Sequence, residues 1–108
     1  MILAVTYDQE TGNIFPRLEE AKVLKVYEFI GGELVNSELV GTMAESVEDI
    51  IGLVMMLEAD GILCGSLLEE TRSLLQDEGI EYYSGFEGDA DEAARDFIDG
   101  FVLLGPDD

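Results

Sequence analysis

The sequence predicts an α/β fold, a mixed five-stranded sheet covered by three helices. Two strand-like stretches joined by Gly31-Gly32 predict an antiparallel hairpin. Later strand-sized stretches alternate with helical spacing, which predicts parallel pairing through right-handed crossovers. The chain order is therefore strand, strand, strand, helix, strand, helix, strand, helix. One sheet accommodates both kinds of pairing if the strand order is 3-2-1-4-5, with strand 2 antiparallel.

The first half of the chain supplies three of the predicted strands. Ile2–Tyr7 is apolar or β-branched throughout, which is typical of a central strand covered on both faces. A long polar loop then runs from Asp8 to about Glu20, and long loops in small domains are often functional. Lys22–Ile30 and Glu33–Val40 are predicted to form the hairpin, with the second of them at the edge of the sheet.

The first helix and the fourth strand come next. Apolar residues recur at helical spacing as far as Leu57, and two capping boxes compete for the start of this helix. They are Thr42 with Glu45, and Ser46 with Asp49 one turn later. The following segment, Asp60–Cys64, is predicted to be a short buried strand.

Two helices and the last strand complete the fold. Ser66 opens another capping box and is predicted to cap the second helix, which Gly79 ends in the left-handed conformation. Ile80–Tyr83 is the fifth predicted strand. Asp89 is placed to cap the third helix, whose apolar side chains recur on one face.

The composition excludes several kinds of chemistry. Twenty-five acidic residues stand against five basic ones, and the chain has no histidine and a single cysteine. Ser–His and Cys–His pairs and His-ligated metals are therefore excluded, and one thiol cannot make a Cys₄ site within a chain. A net charge of −20 repels phosphate backbones and anionic lipid, so we expect no nucleic acid and no membrane as a partner.

The chain is expected to form a single domain over residues 1–102, followed by a flexible acidic tail over 103–108. No apolar stretch approaches the ~20 residues of a membrane span, and the N-terminus lacks the features of a signal peptide. A lone cysteine fits a reducing compartment, so a cytoplasmic location is expected. Nothing in the sequence sets the oligomeric state.

A candidate ligand-binding site follows from the predicted topology. Ligands bind open α/β sheets at the carboxyl ends of parallel strands. The first and fourth strands, with the long loop beside them, bring six residues to that edge: Tyr7, Asp8, Arg17, Cys64, Gly65 and Ser66. No catalytic residue is predicted.

Three of these residues carry two interpretations each. Cys64 is either a thiol activated by the following helix start or a small buried strand residue. Ser66 either binds an anion or only caps its helix. Arg17 either meets an anionic ligand or forms a surface ion pair with Glu19 or Glu20.

Several segments carry a resemblance to a known family: Ile2 to Val5, Gly12 to Ala21, Val26 to Glu28, Ala59 to Gly65, Leu75 to Glu81 and Ala93 to Gly100. Together they resemble the dinitrogenase iron–molybdenum cofactor biosynthesis family, nitrogenase accessory proteins that include small carriers and scaffolds. The resemblance implies a fold with the ribonuclease H-like motif and covers nearly the whole chain.

The chain departs from this family in two loops. The family's first loop typically reads His-Phe-Gly-Arg-Ala, where this chain has Arg17-Leu18-Glu19-Glu20-Ala21. A loop rich in glycine and histidine is often found before the family's first helix, and here Gly41-Thr42-Met43-Ala44 takes its place. The soft or imidazole ligands that suit iron–sulfur and molybdenum clusters are therefore missing from the matching positions.

Three functions are consistent with the residues and the resemblance. The first is a non-catalytic accessory protein, with no cofactor, that binds a small ligand or a protein partner at the strand-end edge. The second is an iron–sulfur or iron–molybdenum cluster carrier that uses Cys64, the one candidate metal ligand, from each of two chains. The third is a metal-dependent phosphoester hydrolase built on carboxylates, with Asp8, Asp60, Glu19 and Glu20 as candidates.

Overall fold

The computed structural model describes residues 1–104, with the backbone alone for residues 101–104. Within that range the elements follow the predicted order. The strands are β1 (Ile2–Tyr7), β2 (Val23–Ile30), β3 (Glu33–Gly41), β4 (Gly61–Leu63) and β5 (Glu81–Tyr83). The helices are α1 (Val47–Met56), α2 (Glu69–Asp77) and α3 (Ala90–Leu104), and a short 3₁₀ helix, Leu18–Glu20, lies in the first loop.

The sheet has the predicted order, β3-β2-β1-β4-β5, so the predicted mixed topology is confirmed. β1 is antiparallel to β2, with Ala4 opposite Val26, and parallel to β4, with Ala4 opposite Ile62. β4 and β5 are also parallel, while β2 and β3 form the antiparallel hairpin. β1 therefore lies at the centre of the sheet, as its unbroken apolar sequence predicts.

Alternation along the strands divides the core into two layers. On one face, Leu3 and Val5 of β1 and Phe29 of β2 pack against alanines and Ile98 of α3. On the other face, Ala4 and its neighbours in β2 and β4 pack against α1 and α2. Both faces of the sheet are covered by helices.

The turn signals that depend on local chemistry are confirmed. Gly31 and Gly32 both have positive φ, 61° and 83°, as a two-residue hairpin turn requires. Gly79 follows α2 in the left-handed conformation, with φ 71°. The Asp89 carboxylate accepts a 2.9 Å hydrogen bond from the amide of Glu92 and so caps α3.

The helices α1 and α2 both begin later than the first capping pattern before each of them predicts. α1 follows Ser46, so the later of its two candidates is correct, and the Thr42 hydroxyl instead donates to the carbonyl oxygen of Ala21. The predicted cap of α2 at Ser66 is wrong, because α2 begins at Glu69. Ser66 is engaged elsewhere, as described below.

The predicted domain boundary at residue 102, with a flexible tail after it, stays a prediction. α3 continues to Leu104, two residues beyond the predicted end of the domain at residue 102. The rest of the predicted acidic tail, residues 105–108, lies outside the described residues.

Candidate functional site

The parallel pairing of β1 and β4 brings their carboxyl ends to one edge of the sheet, as predicted. Tyr7 and Asp8 leave that edge from β1, and Cys64, Gly65 and Ser66 leave it from β4. We call this the strand-end edge. The loop that follows β1 crosses this edge. Its contacts with the ends of β1 and β4 determine how each predicted site residue is placed.

One side of the returning loop pairs with β1. Tyr7 and Ile14 form an antiparallel bridge, and the amide of Phe15 donates a 2.9 Å hydrogen bond to the carbonyl oxygen of Thr6. The Thr6 hydroxyl donates in turn to the carbonyl oxygen of Phe15 at 2.8 Å. Ile14 is 5% exposed, so its side chain anchors the loop in the core beneath α3.

The other side of the loop pairs with the chain that follows β4. The amide of Ser66 donates a 2.7 Å hydrogen bond to the carbonyl oxygen of Pro16, and the amide of Leu18 donates at 3.0 Å to that of Ser66. Leu18 is fully buried against the α1 and α2 side of the sheet. Residues Ile14–Leu18, which we call the closing segment, therefore bridge the ends of β1 and β4.

Gly65 is the point of closest approach between the closing segment and β4. A Cβ atom at this position would lie 2.5 Å from the carbonyl oxygen of Pro16, far inside van der Waals contact. The space therefore requires glycine, and the role of Gly65 is to let two backbones meet.

Cys64 is enclosed rather than presented at the edge. Its side chain is 0% exposed and packs with Ala4, Leu18 and Ile62. Burial, with a smaller contribution from the Glu19 carboxylate, raises the pKa of the Cys64 thiol to about 11. The thiol is thus protonated near neutral pH, and the interpretation of Cys64 as a small buried strand residue is the one that fits.

A side chain from the first loop lies at the N-terminus of α2. The amide of Leu68 donates a 2.8 Å hydrogen bond to Oε2 of Glu19. Burial raises the pKa of Glu19, but hydrogen bonds from Thr71 and Leu68 outweigh it, and the net pKa is lowered. A carboxylate at a helix N-terminus is favourable, so Glu19 takes a place that an external anion would otherwise take.

Ser66 and Arg17 are both used in contacts within the chain. The Ser66 hydroxyl donates to the carbonyl oxygen of Pro16 at 3.1 Å, and it does not cap α2, which begins at Glu69. The guanidinium of Arg17 lies 3.4 Å from Oε2 of Glu20, and both side chains are more than half exposed. Such pairs contribute little, and the ion-pair interpretation of Arg17 is the one that fits.

Two shallow depressions flank the closing segment. Each measures about 320 Å³. Tyr7, Asp8 and Glu10 line the first, beside Lys22, and Gly65, Ser66 and Glu87 line the second. The predicted site residues Tyr7 and Asp8 are therefore separated from Gly65 and Ser66 by the closing segment, although all four lie on the same edge.

Two of the candidate carboxylates of a hydrolase, Asp8 and Asp60, do not share one site. Oδ2 of Asp60 accepts a 2.7 Å hydrogen bond from the amide of Ile2, at the amino end of β1, whereas Asp8 follows the carboxyl end. Six residues of strand separate them, which is about 20 Å. Within residues 1–104, no group of three or more acidic or cysteine side chains is placed to hold a metal ion.

A polar cluster beside Tyr7 has no signal in the sequence. Oδ1 of Asp91, at the start of α3, accepts hydrogen bonds from Nζ of Lys25 at 2.8 Å and from the Tyr27 hydroxyl. Nζ of Lys25 lies 5.4 Å from the ring centroids of both Tyr7 and Tyr27.

The cluster shifts the pKa of two of its members. The hydrogen bond from Lys25 and then that from Tyr27 lower the pKa of Asp91, while burial and then the Asp91 carboxylate raise the pKa of Tyr27. Because Asp91 lies 66 residues from Lys25, no local pattern reveals the pairing. The cluster fastens the start of α3 to the sheet next to the strand-end edge.

Comparison with known proteins identifies the fold. No protein-family model matches the sequence, and no curated protein matches it either. Among solved structures, the crystal structure of PH0822 is similar with a TM-score of 0.85 at 18% identity, covering 93% of this chain and 90% of that one. The crystal structure of a provisionally assigned dinitrogenase from Methanocaldococcus jannaschii has a TM-score of 0.74 at 22% identity, covering 93% and 89%.

A third structure extends the same likeness. The NMR structure of a provisionally assigned NifB protein from Thermotoga has a TM-score of 0.70 at 15% identity, covering 92% of this chain and 88% of that one. Identities this low establish a shared fold and no shared site. Separately, the helices within residues 1–104 include none with the length and hydropathy needed to cross a bilayer.

Proposed function

We propose that this chain is a non-catalytic accessory protein of nitrogenase-type metallocluster assembly, and that it works by binding a protein partner across the strand-end edge. The closing segment is the observation that carries the proposal. It fills the edge at which this fold could hold a ligand and leaves a ridge between two shallow depressions. Fold similarity to a provisionally assigned dinitrogenase and NifB protein, and the resemblance of several segments, support the assembly context.

The ridge is suited to a protein surface rather than to an enclosed small molecule. Ligand sites bury most of their ligand, whereas the two depressions are open and shallow. Asp8 and Glu10 lie on one side of the ridge and Glu87 on the other. A partner that presents lysine or arginine to these carboxylates would gain electrostatic complementarity and a faster association rate.

The two alternative functions have less support. A cluster carrier would need the thiolate of Cys64, but this thiol is enclosed and its pKa is raised to about 11. A carboxylate hydrolase would need acidic side chains close together, but Asp8 and Asp60 lie at opposite ends of β1. The accessory function needs neither a thiolate nor a group of carboxylates, and uses only the surface of the strand-end edge.

Chemical cross-linking tests the location of the partner. The chain has two lysines: Lys22 is exposed at the strand-end edge, and Lys25 is held in its ion pair with Asp91. We expect an amine-reactive reagent, applied to tagged protein purified from its own cells without oxygen, to join the partner through Lys22. The Lys22→Arg variant keeps the charge and should lose this cross-link. Cross-links only from the amino group of Met1, at the far end of β1, would contradict the proposal.

Metal analysis separates the accessory function from the carrier function. We expect protein purified without oxygen, then incubated with iron, sulfide and molybdate, to bind metal well below one equivalent and to remain colourless. The Cys64→Ala variant should behave in the same way. A stoichiometric coloured cluster that disappears in Cys64→Ala would establish the carrier and overturn the accessory proposal.

A further inference from the structure

The outer edge of β3 is a second surface available to a partner. β3 is nine residues long and ends the sheet order on one side, so no strand within residues 1–104 lies beside its outer backbone groups. The opposite edge strand, β5, has three residues. Natural proteins blunt long edges with proline, lysine, bulges or inward charges, because an open edge is a template for pairing.

The hydrogen-bonding pattern identifies the outward-facing groups. The amide of Thr42 donates a 2.9 Å hydrogen bond to the carbonyl oxygen of Lys22 on the β2 side. Backbone groups alternate direction along an antiparallel strand, and the register pairs Val40 with Leu24. The amides and carbonyls of Ser37, Leu39 and Gly41 therefore point away from β2.

This part of β3 is little protected against pairing. The irregularity in the β2–β3 register falls between Glu28 and Phe29, on the hairpin side of Asn36, so Ser37–Gly41 is regular strand. β3 contains no proline and no lysine, and Leu39 is 49% exposed. A regular, accessible edge with an apolar side chain suits the addition of an extended segment.

Charge indicates what kind of segment fits. Glu38 is exposed on β3, and Glu28 of β2 lies diagonally across from it on the same face of the sheet. A second copy of this chain would bring another net charge of −20 to the edge. A segment rich in lysine or arginine would instead be attracted, both locally and by the field of the whole molecule.

We propose that the outer edge of β3 at Ser37–Gly41 binds an extended basic segment of a partner protein as an added strand. Backbone hydrogen bonds at Ser37, Leu39 and Gly41 hold the segment, and its basic side chains lie beside Glu38 and Glu28. This inference rests on the proposed function only in taking a protein as the partner. It concerns a different surface from the strand-end edge.

A peptide titration followed by NMR tests the proposal on the wild-type protein. The probe is a ten-residue peptide of alternating lysine and valine, and the control is the same peptide with every backbone nitrogen methylated, so that neither of its edges can donate hydrogen bonds. We expect the probe to shift the amide signals of Ser37, Leu39 and Gly41 and to slow their hydrogen exchange. Two or three lost hydrogen bonds of about 1 kcal/mol each predict at least about tenfold weaker binding of the methylated peptide.

Matched charge reversals separate edge binding from general attraction. Glu38→Lys and Glu78→Lys change the net charge equally, but Glu78 is exposed at the end of α2, away from β3. We expect Glu38→Lys to weaken binding of the probe at least threefold more than Glu78→Lys. Leu39→Pro removes an outward amide without removing a bond to β2, so it should keep the fold, checked by circular dichroism, and also weaken binding.

Three results would overturn this inference. Equal affinity for the methylated peptide, or equal effects of the two charge reversals, would show attraction to the acidic surface in general. Sedimentation of the free protein as a dimer whose interface is lost in Leu39→Pro would show that a second copy takes the edge. A failure here would leave the Lys22 cross-linking result unchanged, and loss of that cross-link would leave the peptide result unchanged.

Discussion

Gly65→Ala tests the closing segment with the smallest possible change. The added Cβ would lie 2.5 Å from the carbonyl oxygen of Pro16, so the two groups must separate by roughly 0.9 Å to reach ordinary contact at about 3.4 Å. That carbonyl accepts hydrogen bonds from the Ser66 amide at 2.7 Å and from the Ser66 hydroxyl at 3.1 Å. The same separation stretches both bonds towards or past the useful limit of about 3.2 Å.

The expected loss of stability follows from those two bonds. Each hydrogen bond contributes about 1 kcal/mol to the free energy of unfolding. The alanine offsets up to about 1 kcal/mol of the loss, because it restricts the conformations of the unfolded chain. The free energy of unfolding should therefore fall by about 1–2 kcal/mol, within the range of overpacked sites. In urea unfolding followed by circular dichroism, the midpoint should fall by roughly 1 M.

A second glycine provides the matched control. Gly52 lies in α1 with open space where a Cβ would be, so Gly52→Ala should raise the free energy of unfolding by about 0.5–1 kcal/mol. If Gly65→Ala were as stable as the wild type, or were stabilised like Gly52→Ala, the closing segment would not be packed against Gly65 and the reasoning would be refuted.

Three further predictions concern the cluster, the thiol and the cap of α3. Asp91→Asn should cost about 1 kcal/mol near neutral pH, because it weakens the partly exposed bond to Lys25, while exposed Asp96→Asn should cost less. The lowered pKa of Asp91 means that the wild type's advantage exists above the ordinary pKa and disappears as pH falls below about 4, measured by urea unfolding across pH. Cys64 should stay unlabelled by DTNB in the native protein at about pH 8 and react once urea unfolds it, and rapid native labelling would contradict its burial. Asp89→Ala should lower the free energy of unfolding by about 1 kcal/mol through loss of the α3 cap, and an unchanged midpoint would show that the cap contributes nothing.

The sheet topology could be predicted because its determinants are local patterns joined by general rules. An unbroken apolar β1 indicates a central strand, and Gly31-Gly32 indicates the hairpin turn. A right-handed crossover then places β4 beside β1. The cap at Asp89 needs only its own neighbours in sequence, so its pattern was also sufficient.

The filled edge could not be predicted because its contacts are made by backbone groups far apart in sequence. The amide of Ser66 bonds the carbonyl oxygen of Pro16, 50 residues away, and neither residue type indicates the pairing. The capping pattern at Ser66 is consequently misleading, since its hydroxyl serves the same carbonyl. One signal was available in the loop: Ile14 and Leu18 are apolar residues in a polar stretch, and both are buried.

The placement of Cys64 shows how much its residue type and sequence neighbours predict about its burial. It extends the apolar run Ile62–Leu63 by one residue, and continuity with a buried strand favoured burial over reactivity. Proximity to a helix start favours reactivity instead, but α2 begins only at Glu69, and Glu19 accepts a hydrogen bond from the amide of Leu68 just before it. The position of the helix start therefore favours a buried strand residue at Cys64 over an activated thiol.

Native-state hydrogen exchange at three amides tests the central claim most directly. The amides of Phe15, Leu18 and Ser66 each donate across the junction between the closing segment and the strand ends. If the chain's own loop fills the strand-end edge, all three should be protected to nearly the same degree as the amides of β1, and protection should fall in Gly65→Ala. Exchange of all three at the rate of an unstructured peptide would show an open edge and contradict the account.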